Sequence, residues 1–549
     1  MTAIGQSLPG GFDLWSIAAE IALAVLIVLL LVWRCATASA SRLVGPLVLL
    51  ATIGVTALCG VQLLESVGAI EPVVSAERQS GTAAENAAAA AASMLPSPSP
   101  RAPLFDGLLV RTPLATLFRL LVTVSLGLTV ALCLLTGVPN TARAVDFWTL
   151  MLGSTVGMLL TVSASSVLMM FIGIEMMSVP GYALTAYFKG RADATESSLK
   201  YVVYGAGASG ILLYGLSVLV GLTGQTELQP LFAEAATLLG EASATGGPEG
   251  ILSLVGLLMV TVGLAFKLSA VPFHFWCPDV FTGAPAEVAG FLSVASKLAT
   301  LGLALRLAAE SVGDTALVFG TAFAAYSIAS VIYGNLVAYS QENAKRLMAY
   351  STIAHAGYLS LGIAAVSLLP PSRRPDAVAA AVYYAFAYLL MNLIVFGGIA
   401  VLRNATGGTT LAAFASLTRR TPRATAVIGA IAASCFSLVG LPPFAGFFGK
   451  LLVFASAFES ARERPLMAVA LAASMLMSIV SLGYYLKLLA PMVFGESDAT
   501  RRRVDVTLPQ AVYLTALAVA LFAMLIPFAA PFLELSQQIG ATAVPSDVR

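Results

Sequence analysis

Apolar runs of about 20 residues recur from one end of the chain to the other, each long enough to cross a hydrocarbon layer about 30 Å thick as a helix. In lipid the backbone must satisfy its own hydrogen bonds, which a helix does and an open strand does not. A chain made of such runs therefore folds as an all-α integral membrane protein. About fourteen spans are read, over 13–34, 45–64, 113–137, 146–163, 166–188, 198–222, 250–271, 286–309, 315–340, 347–367, 376–402, 424–443 with a continuation beyond a break, 465–490 and 510–533. Only 10% of the 549 residues are charged, against about 25% in a soluble domain, so no segment reads as a separate soluble unit. The first run has no basic stretch before it and Arg34 after it, which marks a retained span rather than a cleaved signal.

Basic residues orient the spans, because cytoplasmic connections carry the excess of Lys and Arg. Arg34 and Arg42, Arg143, Lys189 and Arg191, Lys345 and Arg346, Arg419, Arg420 and Arg423, and Arg501 to Arg503 fall on one side. The connection from Thr223 to Glu249 on the other side is acidic, without Lys or Arg. Both termini are thus expected outside the cytoplasm, with Arg373 and Arg374 as the dissent. Between the second and third spans, residues 80–103 are Ala-rich and then alternate Ser and Pro, the composition of a short exposed helix followed by an extended linker, with no part in chemistry.

Several function classes are excluded. The five cysteines (Cys35, Cys59, Cys133, Cys277 and Cys435) are scattered, with no CxxC or Cys/His cluster for iron–sulfur, haem or zinc binding. A net charge of +1 implies no nucleic-acid partner, and no Gly-rich phosphate loop precedes a helix. No cofactor and no metal is expected on this chain.

What remains is charge where lipid should be. A charged side chain at the bilayer centre costs at least about 2.5–3.5 kcal/mol, so each is a candidate functional group. Glu175, Lys200, Lys267, Lys297, Lys450 and Lys487 all fall within apolar runs. Lys487 lies near the end of its span, where snorkelling to the headgroups accounts for it, and Lys200 is close enough to an end for the same reading to stand. Glu175 and Lys297 lie mid-span, too deep for that.

Lys267 is the second residue of the stretch FKLSAVPFHFWCPDV. Pro272 has no amide hydrogen and clashes with the carbonyl of Leu268, so the helix breaks just beyond the lysine. Irregular backbone at membrane depth is tolerated where it is buried in protein or lines a wet cavity. A second break falls in SLVGLPPFAGFFGKLLVF, which carries Pro443 and Lys450. Interrupted helices in each half of a chain are a mark of transporters built from inverted repeats.

Buried lysines near a carboxylate can exchange protons around neutral pH, because burial and a nearby negative charge displace the ammonium in opposite directions. His274, just after the first break, and His355, among Ser, Thr and Tyr in YSTIAHAGYLS, titrate in the right range to shuttle between them. The alternative for each is that it merely hydrogen-bonds broken backbone or a neighbouring helix. Whether Glu175 meets Lys200 depends on depth and rotation.

Five segments carry a resemblance to a known family: IGIEMMSVPGYAL, SSLKYVVYGAGASGILLYG, FKLSAVPFHFWCPDVFTGAPAEVAGFLSVASKLA, QENAKRLMAYSTIAHAGYLSLG and LVGLPPFAGFFGKLLVF. The chain resembles the antiporter-like membrane subunits of proton-pumping NADH:quinone oxidoreductase (respiratory complex I), most closely the N-type. SVASKLA and the KYVVYGAGAS helix set it apart from the L and M paralogues and the multisubunit sodium/proton antiporters. The likeness implies fourteen helices with two inverted five-helix repeats and discontinuous helices near Pro272 and Pro443. It divides the chain into N-terminal helices (1–140), a first repeat (141–310), a second (311–492) and a C-terminal loop and helix (493–549). It implies a buried glutamate matching Glu175 and lysines matching Lys200, Lys267, Lys297 and Lys450 along a polar axis; together with His274 and His355, read from their placement, these form the expected proton relay in a bacterial inner membrane. NADH, FMN, iron–sulfur clusters and quinone would then reside on other subunits, and the partners are those of the membrane arm. Two departures are the long 80–103 insertion and the absence of an aspartate in LLVRTPLATLFR. The rivals are a subunit of a sodium/proton antiporter or membrane-bound hydrogenase, or a structural membrane scaffold.

Overall fold

A computed structural model describes residues 11–36, 43–68, 102–139, 144–188, 192–245, 247–415, 421–494, 506–524 and 534–540. Among them thirteen helices are long and apolar enough to cross a membrane. The N-terminal ones are α1 (Ala18–Ala36), α2 (Val44–Gly68), α3 (Pro113–Thr136) and α4 (Ala144–Ser163), with a small hairpin of β1 (Ala102–Leu104) and β2 (Leu109–Arg111) before α3. Then come α5 (Val167–Thr185), α6 (Ala192–Thr223), α7 (Leu228–Thr245), α8 (Pro248–Leu268), the short α9 (Trp276–Gly283) and α10 (Ala286–Glu310). The second half holds α11 (Gly313–Ala338), α12 (Ala344–Leu368), α13 (Arg374–Thr406), α14 (Pro422–Val439), α15 (Ala445–Ala461), α16 (Pro465–Phe494) and α17 (Leu508–Ala523). Among the described residues α17 is a further apolar helix, shorter than these, and the protein is a multi-pass membrane protein.

Both breaks form where proline dictates. Helix α8 ends at Leu268, with Ser269 in the left-handed region (φ 62°), and the chain resumes helix at Trp276. Helix α14 ends at Val439 with a left-handed Gly440 (φ 88°), a conformation glycine adopts without strain, and α15 starts at Ala445 beyond the two prolines.

Helix α10 is buried along its whole length, and α12 and α13 nearly so, making these three the centre of the bundle. Small residues let them in. A Cβ on Gly334 of α11 would lie 2.6 Å from the Ala354 amide nitrogen, and one on Gly357 of α12 would lie 2.9 Å from that of Val331. These helices therefore pack backbone to backbone, the arrangement small residues permit in membranes.

Three features differ from the sequence reading. The acidic connection contains a helix, α7, and Ala102 and Pro103, read as the end of a linker, belong to β1. Arg374 is no topological signal: it is buried, and its guanidinium donates to the carbonyls of Ala309 (2.9 Å), Ser311 (2.8 Å), Leu369 (3.1 Å) and Ser367 (3.3 Å) at the ends of α10 and α12. Its place is set by helix ends needing donors, while Arg373 pairs with Glu459 at 3.7 Å. Most of the 80–103 segment, the end of the last span, both chain ends and Arg42, Arg143, Lys189, Arg191, Arg419, Arg420 and Arg501 to Arg503 lie outside the described residues.

Candidate functional site

Because Pro272 cannot donate to it, the Leu268 carbonyl at the end of α8 is left without its helical partner. Lys297, projecting from the middle of α10, supplies one: its Nζ donates to Leu268 O and, at 3.0 Å, to Ser269 Oγ. The C-terminal end of a helix carries partial negative charge, so an ammonium is favoured there without any carboxylate.

The second break repeats the chemistry. Lys450 of α15 donates to the carbonyls of Leu438 (2.8 Å) and Val439 (3.0 Å) at the end of α14, and to Ser478 Oγ (2.9 Å) on α16. Ser478 in turn donates to Val439 O at 2.8 Å. The Lys450 ammonium also lies 4.3 Å from the centre of the Tyr358 ring, close enough for a cation–π contact. Each break is thus a cage of helix-end carbonyl oxygen, one at the first and two at the second, and one serine hydroxyl around a buried lysine. Lys297 and Lys450 are 1% and 3% exposed, which rules out snorkelling for both.

Lys267, beside the first break in sequence, points elsewhere. Its Nζ donates to Ser178 Oγ on α5, and Ser178 donates to the Ile174 carbonyl. Glu175, one residue after Ile174, is close enough for its charge to act on Lys267, and among the described residues one of its carboxylate oxygens is buried without a hydrogen-bond partner.

Between the two cages stands His355 on α12, within electrostatic reach of both Lys297 and Lys450. Its Nδ1 pairs with the Tyr384 hydroxyl at 2.6 Å and its Nε2 with that of Tyr485 at 3.2 Å, and Tyr485 is joined to Ser351 at 2.5 Å. Tyr388, one turn beyond Tyr384 on α13, donates to the Ser293 carbonyl at 3.2 Å, one turn before Lys297. A buried imidazole held by two hydroxyls can accept a proton at one nitrogen and release one at the other, provided the hydroxyls turn.

The other two candidates sit apart from this line. His274 is packed between the rings of Phe275 and Tyr333, each 4.5 Å away, and among the described residues forms no hydrogen bond to Lys267 or Lys297. Lys200 is bound not to Glu175 but to Asp279 and Glu196, both at 2.8 Å, with its side chain 39% exposed. Asp279 gives its second oxygen to Arg346 at 2.8 Å. Burial tends to raise the Asp279 carboxyl, but the Lys200 hydrogen bond and the Lys200 and Arg346 charges outweigh it and hold the group below the usual carboxylate range. Lys487 donates to the Tyr339 carbonyl near the end of α11 at 2.7 Å, as a lysine at a span end can.

The hydroxyl partners Ser178, Ser269, Ser478, Tyr384 and Tyr485 were missed from sequence, as were two ion pairs away from the lysines, Glu20 with Arg119 (2.5 Å) and Glu287 with Arg403 (3.1 Å). A signal existed for Tyr384: it and Tyr388 are four apart in a mostly apolar helix, hence on one face, and a buried phenol needs a partner.

The sequence matches the family described as NADH:quinone oxidoreductase/Mrp antiporter, transmembrane, over residues 164–478, a stretch that contains all seven candidate residues and both breaks. Subunit N of NADH-quinone oxidoreductase from Anaeromyxobacter sp. strain Fw109-5 is 37% identical over 384 residues, 68% of this chain and 72% of that protein. Among solved structures, a chain of respiratory complex I from Thermus thermophilus with bound aureothin superposes with a TM-score of 0.68 at 27% identity, over 94% of this chain and 98% of that one. A chain of the archaeal membrane-bound sulfane sulfur reductase shares the fold, with a TM-score of 0.76 at 22% identity over 97% and 98% of the two chains. This chain therefore belongs to the NADH:quinone oxidoreductase/Mrp antiporter family of transmembrane proteins.

Proposed function

We propose that this chain is the N-type antiporter-like subunit of a proton-pumping NADH:quinone oxidoreductase, carrying protons across the membrane while electrons move in other subunits. The observation that carries the reading is the pair of carbonyl cages holding Lys297 and Lys450, with His355 in electrostatic reach of both. A lysine held by neutral oxygens keeps hydrogen-bond partners while charged, yet has no bound carboxylate to fix its proton, which suits a relay. On this reading Glu175 biases the charge on Lys267, and protons then pass by way of Lys297 and His355 to Lys450 and leave outside. Lys200 and His274 lie off that line, Lys200 at a wet rim suited to entry and His274 beside the first break. The matching chemistry of the two breaks supports two repeats over 141–310 and 311–492, flanked by 1–140 and 493–549.

The membrane potential opposes each proton by about 2.3 kcal/mol per 100 mV, so the energy must reach this chain from partner subunits of the membrane arm. NADH, FMN, iron–sulfur clusters and quinone are assigned to the rest of the complex. The N-type names of relatives support complex I over a sodium/proton antiporter or a hydrogenase-like complex. The excess of basic residues on one side supports a bacterial inner membrane location with both termini outside the cytoplasm.

The test is NADH-driven quinone reduction and proton translocation in membranes carrying Lys267→Ala, normalised to assembled complex. Both activities should fall together with assembly preserved. Unchanged turnover per assembled complex would return Lys267 to a structural role, and a dependence on sodium rather than NADH would favour the antiporter reading.

A further inference from the structure

Beside the first break, Asp279 is a carboxylate that ties the two halves of the bundle together. It lies on α9, the eight-residue helix that follows the first break. One of its oxygens takes Lys200 of α6 and the other takes Arg346 of α12, each at 2.8 Å. The surrounding bonds fasten the same short helix. Ser197 of α6 donates to the Asp279 carbonyl at 2.8 Å, and Lys345 of α12 donates to the carbonyls of Thr282 (2.6 Å) and Ala284 (2.7 Å) at the far end of α9. Three residues before Asp279, Trp276 donates its indole N–H to the Phe266 carbonyl at 3.0 Å, in the last turn of α8. That indole occupies one carbonyl at the end of α8 while Lys297 takes another, that of Leu268. The position of α9 thus sets which helix-end oxygens face the lysine.

We propose that Asp279 is a positioning residue for proton transfer: by clasping α6 to α12 through Lys200 and Arg346, it holds α9 so that the Leu268 carbonyl stays in place for Lys297. The clasp is built to be released. Its three side chains are 26% to 39% exposed, so water competes for every bond, unlike the sealed cages deeper in the bundle. Glu196, 2.8 Å from Lys200, offers that lysine a second carboxylate when Asp279 lets go. A slide of α12, which carries His355, relative to α6 by more than the two long side chains can follow breaks one of the two bonds to this single carboxylate.

The proposal rests on the proton-carrying reading above, and its test is separable from it. In membranes containing the whole complex, Asp279→Asn, Asp279→Glu and Arg346→Gln are compared for assembled complex, NADH-driven turnover and protons moved per electron. Loss of partly exposed charge pairs should lower turnover per assembled complex roughly threefold to tenfold in Asp279→Asn. Arg346→Gln, which removes one arm of the clasp, should give a smaller fall, and Asp279→Glu, which restores the charge, should recover most of the activity. A structural role would reduce the amount of complex and leave turnover and the proton-to-electron ratio per complex at the wild-type values. That result in Asp279→Asn overturns the proposal, as does failure of all three variants to assemble. If Lys267→Ala also leaves pumping intact, the functional reading fails first. If Lys267→Ala stalls pumping and Asp279→Asn does not, the clasp alone is wrong.

Discussion

Replacing Lys297 by arginine and by methionine separates a proton carrier from a structural cation. The lysine makes two bonds in a sealed site, to Leu268 O and Ser269 Oγ. Bonds to a charged donor contribute about 1.5–3 kcal/mol each, but an ammonium taken out of water costs several kcal/mol that largely offset them. Lys297→Met loses both terms and leaves the Leu268 carbonyl unpaired, at about 1–3 kcal/mol. The net loss is therefore of that order, small enough for the bundle to assemble. Lys297→Arg keeps the charge and the donors, so the carbonyl stays capped, but a guanidinium does not deprotonate in a protein. If the Lys297 proton moves, arginine should stall transfer as fully as methionine does. A positioned acid–base group contributes roughly 10²–10⁴-fold to a proton-transfer step, so coupled turnover should drop at least about tenfold in both variants. The assay is NADH-driven quinone reduction and vesicle acidification per assembled complex. Wild-type pumping in Lys297→Arg would refute the reasoning, because a cation that never releases its proton would then suffice.

His355→Phe keeps a ring among Tyr358, Tyr384 and Tyr388 but removes both nitrogens, so proton translocation should fall about tenfold or more while assembly is preserved; Tyr384→Phe, which removes one partner of the imidazole, should fall by less. Equal pumping in His355→Phe and wild type would take the histidine out of the route. Arg374→Gln should act on stability instead. It strips donors from four helix-end carbonyls, and each buried acceptor left unpaired costs about 1–3 kcal/mol. Thermal inactivation of the purified complex should shift downward while the initial turnover per complex stays unchanged, and an unshifted inactivation curve would count against the capping role.

The sequence by itself determined the spans and the breaks, because both follow from backbone chemistry: lipid demands a helix wherever about 20 apolar residues run together, and Pro272 and Pro443 remove the amide that would carry a helix through. It also named the lysines, since a charge inside an apolar run stands out against its neighbours. What it could not assign is partnership. Lys267 precedes the first break in the chain, yet the freed Leu268 carbonyl is taken by Lys297, 29 residues further on. Choosing between them requires the rotation of α10, and a helix buried on every side has no polar face from which to read one. The same holds for His355, whose tyrosines arrive from α13 and α16, and for Asp279, whose cations come from α6 and α12. Arg374 misled for a related reason: charge counting assumes a side chain in water, whereas packing brought two carbonyl-rich helix ends around it. Composition and spacing set where the membrane lies and where the helices stop. Only the packing of distant helices, driven by unpaired carbonyls and close-fitting small residues, decided which buried charge answers which.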